Sequence, residues 1–323
     1  MVNSLVLANA LKRAWPDCFI GWAVHPKARG VLEGHPAIGE IHCVESLAPG
    51  AFRRTMEEVR SRGYSIAIDM QHLFKSGLIA FLSGAPRRIG FDFNRTRELS
   101  WLFTNDKLPP HDPQRHVVEQ YLEFARHLGI DDVRPEWRLS PSAAARERAE
   151  LLLPDGRSWA VLHIGAGKPA NRWHAPGWAR LARGLSAQHG LSVALVGGPG
   201  EADAAREILA LLPPIAPPLD LVGKTSLEEL TALLERARVV VSCDSGPMHV
   251  AAALSRPVVA LFGPANHLRT GPYGQMNHVV ARQDLWCSPC FRKKPCSHYE
   301  CMPGIHAQQV VEKVAAVLRE RPA

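Results

Sequence analysis

Residues Val239–Pro264, VVVSCDSGPMHVAAALSRPVVALFGP, compress the parts of a nucleotide site into one short unit. Val239–Val241 is a β-branched apolar run bounded by turn formers, as in a buried parallel strand. Asp244, Ser245 and Gly246 fall where that strand ends, and His249–Leu254 reads as the helix that follows. Val258–Phe262 is a second apolar strand, closed by Gly263 and Pro264. In open parallel α/β sheets, ligands sit outside the carboxyl ends of the strands. Helix N-termini there offer unpaired N–H groups and partial positive charge to a phosphate. The loop is therefore a candidate diphosphate cradle. The same residue types also cap helices and turn the chain, so the loop taken alone leaves both uses open.

The rest of the chain bounds the reading. Its 323 residues exceed what one core usually holds, so two domains of about 150 residues each are expected. Hydrophobic content of 46% and charged content of 21% describe an ordinary globular protein. There is no run of eighteen apolar residues and no leader pattern at the N-terminus, so a cytoplasmic location is expected. A formal charge of +7 and a pI near 9.2 favour anionic partners: nucleic acid, an anionic membrane face or phosphorylated substrates. Zinc-finger spacing, an RNP signature and a base-reading basic helix are all missing, so nucleic acid is not expected as a partner.

The order of elements suggests two similar halves. Cys18–Val24 and Tyr64–Met70 read as strands and Val117–Leu128 as an amphipathic helix, alternating in the βα manner. The polar stretch Ser140–Arg148 and the turn at Leu153-Pro154-Asp155-Gly156 read as a boundary, giving domains 1–150 and 151–323. The second half restarts with strand Trp159–Ile164, helix Trp178–His189, strand Ser192–Val196 and a helix from Glu201. Leu219–Val222 is a short strand, and Ser226–Arg236 a helix whose Ser226 and Glu229 form a capping box. Gln308–Arg319 closes as a helix. Three loops then converge on one strand-end face. They are Gly165-Ala166-Gly167-Lys168-Pro169-Ala170-Asn171-Arg172-Trp173, then Gly198-Pro199-Gly200-Glu201, and the Asp244 loop. Their agreement on one cleft favours a ligand site over three unrelated turns.

The motifs H-x-G-A-G with Arg172-Trp173, G-G-P-x-E, K-T-S-L and D-S-G-P-x-H-x-A-A-A-L-x-R-P-V-V-A-L-F-G-P resemble glycosyltransferase family 9, the ADP-heptose:lipopolysaccharide heptosyltransferases. The first half adds Asp69-Met70-Gln71-His72-Leu73-Phe74-Lys75-Ser76, similar to the family's D-x-Q-x-x-x-K-S segment. The resemblance implies an α/β protein of the GT-B class, with two Rossmann-like domains whose parallel sheets face a central cleft. It implies an inverting transfer of heptose from ADP-heptose to a lipopolysaccharide inner-core acceptor, with no cofactor required. The sequence agrees in having no D-x-D pair for a divalent ion.

Carried over by position, the resemblance implies that Asp244, Ser245 and Gly246 hold the donor sugar and diphosphate, with His249 beside them. Glu201 takes the adenosine ribose, Thr225 lies near the adenine, and Gly165 and Ala166 touch the phosphates. Where the family places a Lys, this chain has Asn171, so Arg172 or Lys168 is expected to supply the cation beside Asp244. On the acceptor side Asp69, Gln71, Lys75 and Arg87 are the candidates, with Arg88 and Arg95 completing a basic patch for a lipid A–Kdo core. The same basic surface fits peripheral contact with an anionic membrane, at the cytoplasmic face of the inner membrane. The family's opening strand and S-x-x-G-D loop, which carries the proposed general base, have no counterpart. Met1-Val2-Asn3-Ser4-Leu5 instead resembles the helix after that loop. The expectation is a protein extending upstream by about twenty residues, a strand and its loop, with weak or absent transfer in the chain as written.

Cys287, Cys290, Cys296 and Cys301 place four of the seven cysteines in a Pro-, Lys- and Arg-rich segment. Such clustering in a cytosolic protein points to metal or redox chemistry, and one tetrahedral four-Cys structural site is geometrically open. Reduced thiols or a facultative disulfide are the other readings. Cys18, Cys43 and Cys243 read as packed thiols, His111 and His116 as helix-entry or surface residues, and His163 as a hydrogen-bonded positioning residue. Two further functional readings stay open: a GT-B transferase using a UDP- or GDP-sugar, and a non-catalytic nucleotide- or glycan-binding relic.

Overall fold

The computed structural model describes residues 1–214, 217–282 and 284–320, which form two compact units, Met1–Ser140 and Pro141–Ala323. The boundary thus falls at Ser140 rather than at residue 150. The reason is helix α5 (Ala143–Leu152), which Ser142 caps through Ala145 N–H. α5 packs on the helix Leu227–Arg236 of the same unit. Glu228 accepts the Ser142 N–H at 2.9 Å, and Arg146 pairs with Glu235. The polar stretch read as the boundary therefore opens, past Ser140, into a surface helix whose small Ala145 and Ala149 face inward.

The first unit contains α1 (Leu5–Ala14), β1 (Gly21–Val24), β2 (Glu40–Cys43), α2 (Pro49–Ser61), β3 (Ile66–Ile68), α3 (Phe74–Leu82), β4 (Arg87–Gly90), β5 (Asp106–Lys107) and α4 (Val117–His127). α1 is buried along Leu5–Ala10 and packs on α4, with Asn9 donating to Glu136 O at 2.9 Å. The strands form two parallel sheets, β1-β2 and β3-β4-β5. Trp22, Val24, Ile66 and Ile68 of β1 and β3 line a cavity of about 570 Å³, with Leu7 on its wall and Asp69 at its rim.

The second unit follows α5 with β6 (Trp159–His163), α6 (Ala175–His189), β7 (Ser192–Val196), α7 (Ala202–Ala210), β8 (Leu219–Asp220), α8 (Leu227–Arg236), β9 (Val239–Cys243), α9 (Gly246–Ala253), β10 (Val258–Phe262), α10 (His267–Thr270), β11 (Val279–Ala281) and α11 (Ala307–Glu320). Its sheet is fully parallel in the order β11-β10-β9-β6-β7-β8. Every residue of β6, β9 and β10 is buried, as expected for strands covered on both faces. The capping box read at Ser226 is present: Ser226 Oγ accepts Glu229 N–H at 3.1 Å and Glu229 accepts Ser226 N–H at 2.6 Å. α9 begins at Gly246, at the strand-end loop where the sequence put the start of the helix carrying His249, and Pro247 occupies a first-turn position where no N–H is needed.

Candidate functional site

Counted within its unit, the second sheet has the order 3-2-1-4-5-6, and the order reverses between β6 and β9. Crossovers leave in opposite directions at that point and open a crevice at the carboxyl ends of the strands. The loop after β6 and the loop after β9 meet there. Asn171 Nδ2 donates to Asp244 Oδ2 at 3.0 Å across the crevice. Asn171 is buried, and its Oδ1 has no partner; a buried acceptor left open is costly unless a ligand fills it.

Asp244 is held above the ordinary carboxylate range chiefly by burial. The Lys168 charge, hydrogen bonds from Asn171 and Thr270, and the Arg269 charge pull the other way. Lys168 is thus the loop cation that faces Asp244. Arg172 is turned elsewhere: its Nη2 lies 3.2 Å from Glu201 Oε1 and its Nε donates to Ala166 O. Of the two cations expected beside Asp244, the structure brings only Lys168 there. Arg269 and Thr270 join it from α10, beyond the third strand end.

Glu201 lies at the β7 loop, where its Oε2 accepts Gly198 N–H at 2.9 Å. Gly165 lets the β6 loop pass close to Glu201, since a Cβ would stand 3.1 Å from Glu201 Cδ. Gly223 N–H donates to Gly197 O, joining the β8 loop that carries Thr225 to the β7 loop. At the base of the crevice Ser245 Oγ lies 2.8 Å from Ser242 Oγ, and His163 Nδ1 lies 3.2 Å from Ser245 Oγ and 3.4 Å from Ser242 Oγ. Burial depresses His163 to about 4, so it is a neutral hydrogen-bonding partner at ordinary pH. Gly246 opens α9 with nothing near its missing Cβ, leaving room for a ligand at the first N–H groups, and His249 is half-buried in the first turn.

The Cys-rich segment braces this site. Tyr299 Oη donates to Ala170 O at 3.1 Å and Arg172 O at 3.0 Å, Ala170 N–H donates to Lys293 O, and Trp173 Nε1 donates to Ile305 O. Cys287, Cys290, Cys296 and Cys301 are free thiols. Among the described residues no three His, Cys, Asp or Glu side chains converge as a metal-binding group, so the structure does not bring these four together as ligands. Their segment contributes main-chain and tyrosine contacts to the loop after β6.

The first unit separates the acceptor candidates. Asp69 is buried just past β3, where its Oδ1 accepts Gln71 N–H at 3.0 Å and His72 N–H at 3.1 Å and leaves Gln71 exposed. Lys75 donates to the carbonyls of Val44 and Glu45. Arg87 starts β4 opposite Ile66 and pairs with Asp106 at 2.7 Å, so it lies at the amino edge of the strands, about 10 Å from Asp69. Arg95 is buried between Asp92 and Glu123. The basic patch read from the sequence is therefore not one surface: Arg95 and Lys75 satisfy internal groups, and Arg87 faces the other edge.

The family model for glycosyltransferase family 9 (heptosyltransferase) matches residues 52–300. The chain belongs to this family. That span holds every donor-loop residue from Gly165 to His249. This family 9 glycosyltransferase is 27% identical to the lipopolysaccharide core heptosyltransferase OpsX of Haemophilus influenzae, over 86% of the chain and 80% of the relative. It is 29% identical to lipopolysaccharide heptosyltransferase 1 of Pseudomonas aeruginosa, over 92% and 84%. The solved Escherichia coli ADP-heptose lipopolysaccharide heptosyltransferase II superimposes with a TM-score of 0.81 at 27% identity, covering 100% of this chain and 96% of that one. The family 9 fold of this chain is the GT-B class that the motifs implied.

Sequence reasoning missed Arg269, Thr270 and Tyr299. Asn266-His267-Leu268-Arg269-Thr270 follows the β10 strand after Gly263-Pro264-Ala265, and the strand-end rule used for the other loops reaches it too. Tyr299 carries no comparable signal.

Proposed function

We propose that this family 9 glycosyltransferase moves a heptose from ADP-heptose to a lipid-linked lipopolysaccharide inner-core acceptor, with inversion and without a divalent ion. The observation that carries the reading is the group Asp244, Asn171, Lys168 and Arg269 at the switch point of the sheet, beside the α9 N-terminus. Relatives named for the same transfer support the donor and the acceptor class.

In this reading Asp244 and the open Asn171 Oδ1 accept hydroxyls of the sugar, which suits a carboxylate held in a partly desolvated site. Glu201, fixed by Gly198 N–H and Arg172, accepts ribose hydroxyls, and Thr225 lies toward the base. The acceptor hydroxyl oxygen bonds to the anomeric carbon as the bond to the diphosphate breaks, and the hydroxyl proton passes to water or to the departing diphosphate. Charge then grows on the departing ADP. Lys168, Arg269 and the first N–H groups of α9 are fixed in advance to meet it. Neutral His163 holds Ser245 at the mouth of that helix. The exposed Gln71 loop beyond Asp69 offers polar contacts to the acceptor. No helix among the described residues is long and apolar enough to cross a membrane. With a charge of +7, peripheral contact with the anionic cytoplasmic face of the inner membrane is part of the proposal.

The test is calorimetric titration with ADP, UDP and GDP, followed by incubation with ADP-heptose and a heptose-free inner-core acceptor, reading ADP release and the mass of the glycolipid. Selective ADP binding with a one-heptose mass gain is expected. Equal binding of the three nucleotides refutes the donor assignment, and ADP binding with no mass gain refutes transferase action for this chain.

A further inference from the structure

Helix α3, FKSGLIAFL, carries one charge, Lys75, and that ammonium is turned to the carbonyls of Val44 and Glu45. The 3-10 turn Ser100–Phe103 lies across it. Gly77 permits the approach, since a Cβ there would stand 2.8 Å from Phe103 Cδ2 and 3.1 Å from Ser100 O. The Phe103 ring packs against Phe74 at 5.2 Å and Phe81 at 6.1 Å between centroids, and Trp101 packs against Phe93 at 5.4 Å. Glu98 and Leu99 adopt left-handed backbone, φ 50° and 60°, unusual for such residues. Arg97 N–H to His72 O and Ser100 N–H to Arg97 O hold the backbone on either side of them.

The result is a fixed platform whose apolar groups are not consumed by the core. Phe74, Phe81, Phe93, Leu99 and Leu102 are between 43% and 65% exposed. Single exposed apolar residues are ordinary, but a contiguous group marks an interaction surface. Its charge says what kind. Residues 74–107 hold six cations and three carboxylates. Asp92 is buried against Arg95, and Asp106 is tied to Arg87 and His127. With Arg87 neutralised by Asp106, the exposed charges outside an ion pair are Arg97 and Lys107 against Glu98 alone. An apolar centre with a cationic rim matches the boundary of an anionic bilayer, where apolar side chains enter below the headgroups and cations meet lipid phosphates.

We propose that the α3 and Ser100–Phe103 platform is the surface by which this protein docks on an anionic lipid bilayer. The inference rests on the reading of a lipid-linked acceptor and goes beyond it by naming the docking residues. The surplus of Arg97 and Lys107 over Glu98, on a chain of net charge +7, favours anionic lipid over a second copy of the same basic chain.

The experiment is flotation of the full chain with phosphatidylethanolamine–phosphatidylglycerol vesicles and with pure phosphatidylcholine vesicles. Wild type is compared with the triple variant F93S, L99S and L102S. ADP titration and thermal melting serve as folding controls. Wild type is expected to float with the anionic vesicles, less so at high salt. The triple variant should lose about tenfold or more in vesicle affinity while keeping ADP binding, since each exposed side chain contributes apolar burial in the interface. If the triple variant does not fold, L102S alone is expected to give a smaller loss in the same direction. Equal flotation of folded variant and wild type overturns the platform while leaving membrane contact standing. Failure of wild type to float overturns membrane contact and the platform with it. A variant that floats like wild type but elutes as a smaller oligomer assigns the patch to a second copy.

Discussion

Replacing Asp244 with Asn separates binding chemistry from structural support at the centre of the site. The carboxylate accepts Asn171 Nδ2 at 3.0 Å and faces Thr270, Lys168 and Arg269. Its pKa is raised because burial disfavours the charged form more than those partners favour it. The sign follows. A folded-state pKa above the unfolded one means the folded state holds its proton more tightly, so this group's contribution falls as pH rises through that window and is unfavourable at neutral pH. An isosteric amide removes the buried charge and keeps one acceptor, so folding stability should change by no more than about 1 kcal/mol, with the gain from shedding charge opposing the loss of stronger hydrogen bonds. The donor loses a charged acceptor. A hydrogen bond to a charged group contributes about 1.5–3 kcal/mol, so kcat/KM for ADP-heptose should fall roughly 10- to 150-fold. Urea denaturation gives the first quantity and steady-state transfer the second. Loss of several kcal/mol of stability alongside the activity would show that Asp244 supports the loops, and transfer at the wild-type rate would remove it from the donor site.

Lys168→Ala should reduce transfer more than Arg172→Ala, because only Lys168 faces Asp244 while Arg172 is paired with Glu201; equal losses in parallel kinetics count against that assignment. His163, ordinarily 6.5 and depressed to about 4 by burial, takes up its proton more readily unfolded. Stability should therefore rise on the order of 3 kcal/mol between about pH 4 and 6.5, and pH-dependent denaturation of His163→Gln should show that slope flattened. Tyr299→Phe removes the donor to Ala170 O and Arg172 O, so ADP affinity measured by calorimetry should weaken severalfold with little change in melting temperature. Ser226→Ala, by contrast, should cost about 1 kcal/mol of stability through the lost helix cap and leave ADP affinity unchanged.

Much of the second unit was legible before any coordinates. β7 and β10 begin and end at the residues read from their apolar runs, and the Ser226 capping box is present. These signals are local: a buried parallel strand shows as a β-branched run, and a cap shows within four residues. The helix α5 inside the boundary stretch stayed hidden for the same reason, since its Ala and Arg content reads as polar surface until α8 is placed against it. The Cys segment carries another kind of signal. Four thiols close in sequence suggested convergence, whereas spatial convergence depends on the path of the chain between them.

The sequence on its own carried the strands, their loops and the residues at strand ends, because side-chain period, turn chemistry and capping are encoded within a few neighbours. Which loops meet was a tertiary decision. The parallel order β8-β7-β6-β9-β10-β11 put Asn171 against Asp244, seventy-three residues away, and brought Arg269 and Thr270 to the same carboxylate. The same kind of pairing placed Arg87 at the far edge from Asp69. Strand order arises from burial and hydrogen bonding between segments distant in the chain, and no short stretch of residues records it.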